Sequence, residues 1–426
     1  MGPMGVAAKG KGTLNLARRA RDIGTRYGLG PTRMERRLGT VHEILERYAS
    51  GATLPVTAAA ALRNPRVVAR YADLGIEFAV HGYYHVDHAA LSETDQLRQL
   101  GRARELLEAN GVPTVGFRAP YLRWNHGTLR AVRENGFLYD SSQAVHWPVD
   151  SKLKTDAYRR ALGFCGAIPA DEHPVLPWLE DGIVRIPYCL PDDESVVDRL
   201  RLASAEAIAE LWLKVFRATH ERGELFTLAV HPERIESCAP GIIAVLEAAS
   251  SARHGVWIAR LEQVARWWAG RTASTVSVRD AGAGYINVNV QGPVGVTVLV
   301  RGLEHPDGEP WADSYVRARE TDFTVRSDRR PFIGVHPSSP ASLAAFLTEQ
   351  GYIVEVSEAA LAYYVYLKRE RFSKSDELPL LAELDSGASP LVRLARWPNG
   401  ARSVLCITGD VDALTIWDYA FRFLRR

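Results

Sequence analysis

Cysteine is scarce: Cys165, Cys189, Cys238 and Cys406 are the only four in 426 residues. They are scattered and form no CxxC pair, which argues against a disulfide framework or a cysteine zinc site and for buried thiols. Long apolar runs are missing too, since no segment approaches the ~20 residues of a membrane span. The opening stretch MGPMGVAAKGKGTLNLARRARDIG is basic. It lacks the apolar centre of a secretory signal, so it reads as a solvated arm and the chain as cytoplasmic. Nor is there an excess of one charge. The net charge of +2 is too near neutral to argue for nucleic acid or an acidic membrane surface as partner. What is present is a hydrophobic fraction of 46% and a charged fraction of 24%, the composition of a globular protein. The length suits one large domain or a few ordinary ones, with ample chain for a core.

From residue 33 the pattern alternates between helix and strand. Met34, Leu38, Val41, Ile44, Leu45 and Tyr48 recur at helical spacing. ATLPVTA follows as a short strand-like run, although Pro55 is awkward inside a central strand because it cannot donate to a ladder. Residues 60–73 return to helical spacing, and GIEFAV (75–80) reads as the next strand. Ser92 and Asp95 resemble a capping box that opens a helix ending near Gly111. Strands are predicted at VGFRAPY, FLYDSS, GIVRIPY (182–188), LFTLAVH (225–231) and VWIA (256–259), with a helix over about 204–222. This alternation favours a parallel sheet or barrel with helices outside. Near Thr272 the texture changes. Residues 274–328 alternate with period two and carry Gly and Pro turns, the pattern of a small antiparallel β-unit. Residues 338–372 look helical around a strand at YIVEVS. A polar stretch follows, and the chain closes with a strand, an acidic loop and a helix.

The strongest chemical signal is His81-Gly-Tyr-Tyr-His85, just past a strand. Histidines at i and i+4 on one helical face can aim two ring nitrogens at one ion, and neutral imidazoles suit zinc or another late first-row metal. The alternative is a structural pair, with His88 a surface or supporting residue. A third ligand is usually a carboxylate. Asp410-Val411-Asp412 follows the apolar run VLCIT, and alternation points both carboxylates the same way at a strand's C-terminal end, where α/β enzymes place their chemistry. The alternative there is a solvated turn capping the next helix. Arg118 in RAPY can orient a carboxylate, and His231 closes a strand where it could serve as general acid or as a structural histidine.

Taken together, HGYYH (81–85), FRAPY (117–121), LYDSSQAVHW (138–147) and LAVH (228–231) resemble the motifs of the polysaccharide deacetylase family, carbohydrate esterase family four, in family order. The resemblance covers roughly residues 33–270 and the C-terminal segment. It implies a distorted (β/α) barrel. The family's acidic first motif is missing upstream of ATLPVTA, where Asp22 stands alone. WPNGARSVLCITGDVDA (397–413) resembles that segment displaced to the C-terminus. The implied arrangement is a circularly permuted α/β barrel with a small antiparallel β-unit inserted. Its parts would be a basic arm (1–32), the main barrel (33–271), a β-rich accessory unit (272–335), an α/β connector (336–396) and a C-terminal strand and helix completing the barrel (397–426). The rival is a truncated second deacetylase domain, which leaves the first inactive or dependent on a partner chain.

The resemblance also implies roles. Asp412, His81 and His85 would hold a divalent metal, Zn2+ by preference. Asp410 would be the base, oriented by Arg118, and His231 the acid. The Tyr121 backbone N–H would meet the oxyanion, Trp147 and Leu228 would line the acyl pocket, and Asp140 would support His231. The expected activity is metal-dependent removal of an N-acyl group, most often acetyl, from an amino sugar or glycan precursor. The DVD spacing resembles a branch with peptidoglycan-deacetylase-like and allantoinase-like members, so a non-sugar amide or cyclic ureide is the alternative substrate. A non-catalytic carbohydrate-binding protein is the alternative of another class. A homo-oligomer stays open, and no nucleic acid or membrane partner is expected.

Overall fold

The computed structural model describes residues 24, 26–304, 308–312 and 314–421. Most of the basic arm expected over residues 1–32 lies outside them. Nine strands form the main sheet among the described residues. In chain order they are β1 (Thr53–Val56), β2 (Glu77–Val80), β3 (Gly116–Phe117), β4 (Tyr139–Asp140), β5 (Trp178–Glu180), β6 (Ile183–Arg185), β7 (Leu225–Ala229), β8 (Val256–Ile258) and β9 (Ser403–Thr408). Their spatial order is β7-β9-β1-β2-β3-β4-β6-β5, with β8 also pairing on β9. Every pairing is parallel except β5 with β6. Parallel strands are covered on both faces, so they carry continuous apolar runs. β1, β2, β7 and β9 are buried at every residue.

The sheet curls toward a barrel, and side chains rather than a ladder close it. A second small sheet joins Ala144–His146 to Ile168–Pro169 and Tyr188–Leu190. Tyr188–Leu190 then meets β7 through Thr227, whose hydroxyl accepts from the Cys189 N–H (2.8 Å) and donates to the Pro187 carbonyl (2.8 Å). Outside the barrel, the helix Ala205–Glu221 is capped by Ser204 and buries Ile208, Leu211, Trp212, Val215 and Phe216 at helical spacing. All four cysteines are free thiols, three of them buried.

β9 comes from the far end of the chain yet lies in the middle of the sheet. One edge pairs with β7 from Leu225↔Val404 to Ala229↔Thr408. The other edge pairs first with β8 and then with β1 at Thr53↔Thr408. Val404, Leu405 and Ile407 are at most 3% exposed, and burying each is worth about 1.5–3 kcal/mol. Pro55 is central after all. Its carbonyl accepts from the Val411 N–H (2.7 Å), so its missing N–H faces the same β9 edge. There the ladder is already interrupted between Thr408 and Val411, and no donor is wasted.

Beyond Thr272 three more sheets form. Thr275–Gly282, Tyr285–Gln291 and Asp322–Arg326 are antiparallel. Val298–Arg301 pairs with Tyr315–Arg317 and with Leu391–Leu394, so hydrogen bonds cross from the β-rich stretch into the segment read as a connector. Arg330–Val335 pairs parallel with Val354–Val356 and Tyr363–Leu367. Two readings fail here. Tyr363–Leu367 is a strand where a helix was expected, and the polar stretch after it holds a helix, Lys374–Ser386, which buries Leu380, Leu381 and Leu384. Among the described residues no helix is long and apolar enough to cross a membrane.

Candidate active site

The C-terminal ends of the parallel strands bring together residues that are hundreds of positions apart. His81 follows β2, and its N–H extends the ladder to the Val56 carbonyl (2.9 Å). The turn from His81 to His85 is not helical, contrary to the shared helix face that the spacing suggested. Gly82 makes the turn instead, at φ 79°. A Cβ there would stand 2.7 Å from His88 Nε2, so the position needs glycine for space as well as conformation. His88 is fully buried, and burial pushes its pKa down to about 3, with help from neighbouring His81. It is therefore a neutral supporting ring rather than a surface residue.

The two aspartates arrive on the other side. Gly409 lets β9 pass against the end of β7, because a Cβ there would meet the Val230 carbonyl oxygen at 1.8 Å. Val411 forms a parallel bridge with Val56, so Asp410 and Asp412 project to one side as alternation predicts. Asp412 Oδ1 lies 3.4 Å from His81 Nε2 and 3.3 Å from His85 Nε2. One ligand atom from each of these three residues falls within 4.8 Å of the others. His81 Nδ1 is 2.9 Å from the Arg118 carbonyl. A carbonyl only accepts, so Nδ1 carries the proton and Nε2 keeps its lone pair for the cluster. His81 Nε2 is buried and makes no hydrogen bond among the described residues. Two neutral imidazoles and a carboxylate around one point fit a divalent late first-row metal.

Arg118 is fully buried and donates from Nη1 to Asp410 Oδ1 (2.8 Å). It is held by Ser141, through the carbonyl (3.1 Å) and the hydroxyl (3.2 Å). The other carboxylate oxygen of Asp410, Oδ2, lies 3.6 Å from His81 Nε2. Across the cleft, His231 Nδ1 donates to Asp193 Oδ1 (2.8 Å), and the His231 backbone N–H donates to Oδ2 of the same carboxylate (2.9 Å). Burial opposes the imidazolium, but the Asp193 charge and hydrogen bond outweigh it and hold the His231 pKa well above its ordinary value. Asp193 carries a role the sequence reading gave to Asp140. Asp140 is instead locked to Arg185 Nε (2.9 Å) and Ser142. The signal for Asp193 was its position, the second of two aspartates that follow Pro191 just past the strand Tyr188–Leu190.

A cavity of about 110 Å³ joins these groups, with His85, His231, Asp410 and Asp412 on its wall beside Tyr121, Leu122 and Phe164. Tyr121 stands at φ 61° and sets its ring edge-on against His85. A side-chain-bearing residue in this conformation is uncommon and concentrates at functional turns. A second cavity of about 160 Å³ reaches His85 and Asp412 from the side of Tyr83, Tyr84 and Arg63. Trp147 and Leu228, expected to line the acyl pocket, are not on the wall of the 110 Å³ cavity. Leu228 is fully buried in the barrel core, and the Trp147 ring lies 5.1 Å from the Arg222 guanidinium.

Residues 27–139 match the family model described as polysaccharide deacetylase. Over 75 residues, 17% of the chain, the sequence is 41% identical to a peptidoglycan deacetylase-like protein of Gibberella zeae, and this match spans 22% of that relative. Among solved structures the chain is similar to a putative polysaccharide deacetylase from Mycobacterium smegmatis, at 27% identity over 54% of this chain and 76% of that one, with a TM-score of 0.42. It is also similar to Puue allantoinase, at 21% identity over 55% of this chain and 72% of that one, with a TM-score of 0.43.

Proposed function

We propose that this chain, which carries a polysaccharide deacetylase family domain, is a metal-dependent hydrolase removing an N-acyl group, most often acetyl, from an amino sugar or glycan precursor. One observation carries the reading. A carboxylate held by a buried arginine (Asp410–Arg118) and a histidine held by a buried carboxylate (His231–Asp193) flank the His81, His85 and Asp412 cluster around one cavity. That is a base and an acid on either side of a Lewis-acid site.

His81, His85 and Asp412 would hold the metal, with Zn2+ favoured by the donor set. When bound, the metal supplies polarisation of the amide carbonyl and a water of lowered pKa. Asp410 takes the water's proton, and Arg118 fixes one of its oxygens so that the other faces the cluster. The Tyr121 backbone N–H donates to the oxygen that gains charge as the new C–O bond forms. Asp193 keeps the His231 ring oriented and protonated, and His231 gives its proton to the amine as the C–N bond breaks.

We also infer that the segment order is a circular permutation. It is supported by β9 lying between β7 and β1. The two ends of the described chain also meet: the Ile416 N–H donates to the Gly28 carbonyl (3.0 Å), and the Tyr27 and Tyr419 rings lie 5.8 Å apart. Residues 33–271 with 397–426 then form one barrel, and 272–335 and 336–396 are the parts between its halves.

The test is acetate release from N-acetylglucosamine oligomers by zinc-loaded protein. Release should stop on chelation and return with zinc. Asp410→Asn should keep its metal and lose about 10²–10⁴-fold in rate. No release from any N-acetyl sugar would sink the reading. A second substrate class, a small amide or cyclic ureide, is favoured by the 110 Å³ cavity, and release of product from those compounds alone would select it.

A further inference from the structure

The two cavities that share His85 and Asp412 are lined differently. The cavity of about 110 Å³ carries Asp410, Tyr121 and His231 on its wall. Among the described residues, the cavity of about 160 Å³ carries none of these three. Its wall includes Ala59, Ala60 and Leu62, from the short helix Ala58–Arg63, and Tyr83. This part is apolar, and Tyr83 packs against the main core.

The outer end of the 160 Å³ cavity is pinned by polar bonds. Arg63 Nη1 donates to Asp418 Oδ1 (3.3 Å). Asp418 is buried, and its Oδ2 accepts from the Thr415 N–H (2.9 Å), the Thr415 hydroxyl (2.9 Å) and the Asn64 amide (3.2 Å). The Thr57 hydroxyl donates to the Asp412 carbonyl (3.3 Å). Both ends of the helix Ala58–Arg63 are thus tied to the segment that carries Asp412. The wall has a set shape, and its volume limits what enters.

In the hydrolysis proposed above, the amide carbon comes to carry four substituents. The incoming oxygen meets Asp410, the carbonyl oxygen meets the Tyr121 N–H, and the nitrogen meets His231. All three groups lie on the wall of the 110 Å³ cavity. At a tetrahedral carbon the fourth substituent, the acyl chain, points away from the other three. The 160 Å³ cavity lies on that side of His85 and Asp412 and is lined to receive it. Trp147 and Leu228, the residues expected to hold an acyl group, line neither cavity.

Volume then sets the length of the chain. At roughly 30 Å³ for each water-sized unit of liquid, the 160 Å³ cavity holds about five. The methyl of an acetyl group fills one of them and leaves Leu62 and Tyr83 against water. A longer chain takes that apolar surface out of water, which is favourable in proportion to the area covered.

We propose that the 160 Å³ cavity is the acyl pocket, and that it favours an acyl group of about four to six carbons over acetyl. Leu62 is then a specificity-determining residue. The proposal rests on the hydrolase reading and narrows its substrate class.

The test uses the zinc-loaded full chain and glucosamine carrying an N-acetyl, N-butanoyl, N-hexanoyl or N-decanoyl group, with free glucosamine as the readout. From acetyl to hexanoyl, kcat/KM should rise about fourfold for each added methylene, the worth of one buried CH₂, and it should rise no further at decanoyl. Leu62→Trp fills the cavity and should remove the advantage of butanoyl over acetyl. Leu62→Ala enlarges it and should carry the rise on to decanoyl. Both effects are ratios between substrates, so they do not depend on how much of a variant folds. Titration calorimetry should show butanoate binding more tightly than acetate, a readout that needs no turnover. If no glucosamine is released while that order of binding holds, the hydrolase reading falls and the acyl pocket stands. The proposal is overturned if acetyl is the best substrate, if acetate binds as tightly as butanoate, or if both variants keep the chain-length profile of the parent.

Discussion

A histidine that must deliver a proton needs a partner that keeps the proton on the ring until the bond breaks. In the proposed reaction Asp193 is that partner for His231: it accepts from the His231 ring, and its charge raises the His231 pKa. A general acid works only while protonated, so activity is lost as pH rises through that pKa. Asp193→Asn removes the raising charge and lowers the pKa. The alkaline limb of the kcat/KM profile should then move to lower pH, while metal content stays unchanged. An unmoved limb in the variant would remove Asp193 from its role. At this scale much was legible. His81, His85, Arg118, His231, Asp410 and Asp412 each sit within a few residues of a strand end, in short motifs that the residue types themselves mark as chemical. Asp193 was hidden because its partner is 38 positions away and no local pattern ties them. Trp147 and Leu228 were placed by analogy, and both pack in the main hydrophobic core.

Among the elements, β9 bears the most. It pairs with β7, β8 and β1 and delivers both aspartates. Deleting residues 397–426 exposes the centre of the sheet and cuts the barrel core. The loss should exceed the about 5–15 kcal/mol that a domain holds. Calorimetry should show no cooperative unfolding peak in the truncated chain. A peak near that of the full chain would mean that β9 is an appendage and not a member of the sheet. The strands of the barrel were readable because parallel strands buried on both faces are uninterrupted apolar runs, as VLCIT is. Two elements near the C-terminus were misread for physical reasons. YYVYL is rich in the aromatic and β-branched residues that suit a pleated surface, but helical spacing around it masked this. The helix Lys374–Ser386 offers only a short apolar stripe and contains Pro379, a residue that ordinarily signals a helix end.

At the scale of the whole molecule, β1 and β9, from opposite halves of the chain, lie side by side in one sheet, and residues beyond Thr272 help to wall a further cavity at the far end of the strands. The shared core joins them: Trp268 of the barrel's last helix packs with Trp397, Leu343 and Leu380. No sequence pattern could announce that far-end cavity, because its wall draws on helix ends, a strand and a helix from segments more than a hundred residues apart.

In the proposed site His81, His85 and Asp412 meet on one metal within a single chain. Crystals grown with zinc and measured at the zinc absorption edge test it most directly. One anomalous peak per chain is expected, about 2.0–2.2 Å from His81 Nε2, His85 Nε2 and an Asp412 carboxylate oxygen, and that peak should be lost in Asp412→Ala. A peak on the histidines without Asp412, or one that persists in Asp412→Ala, would contradict it.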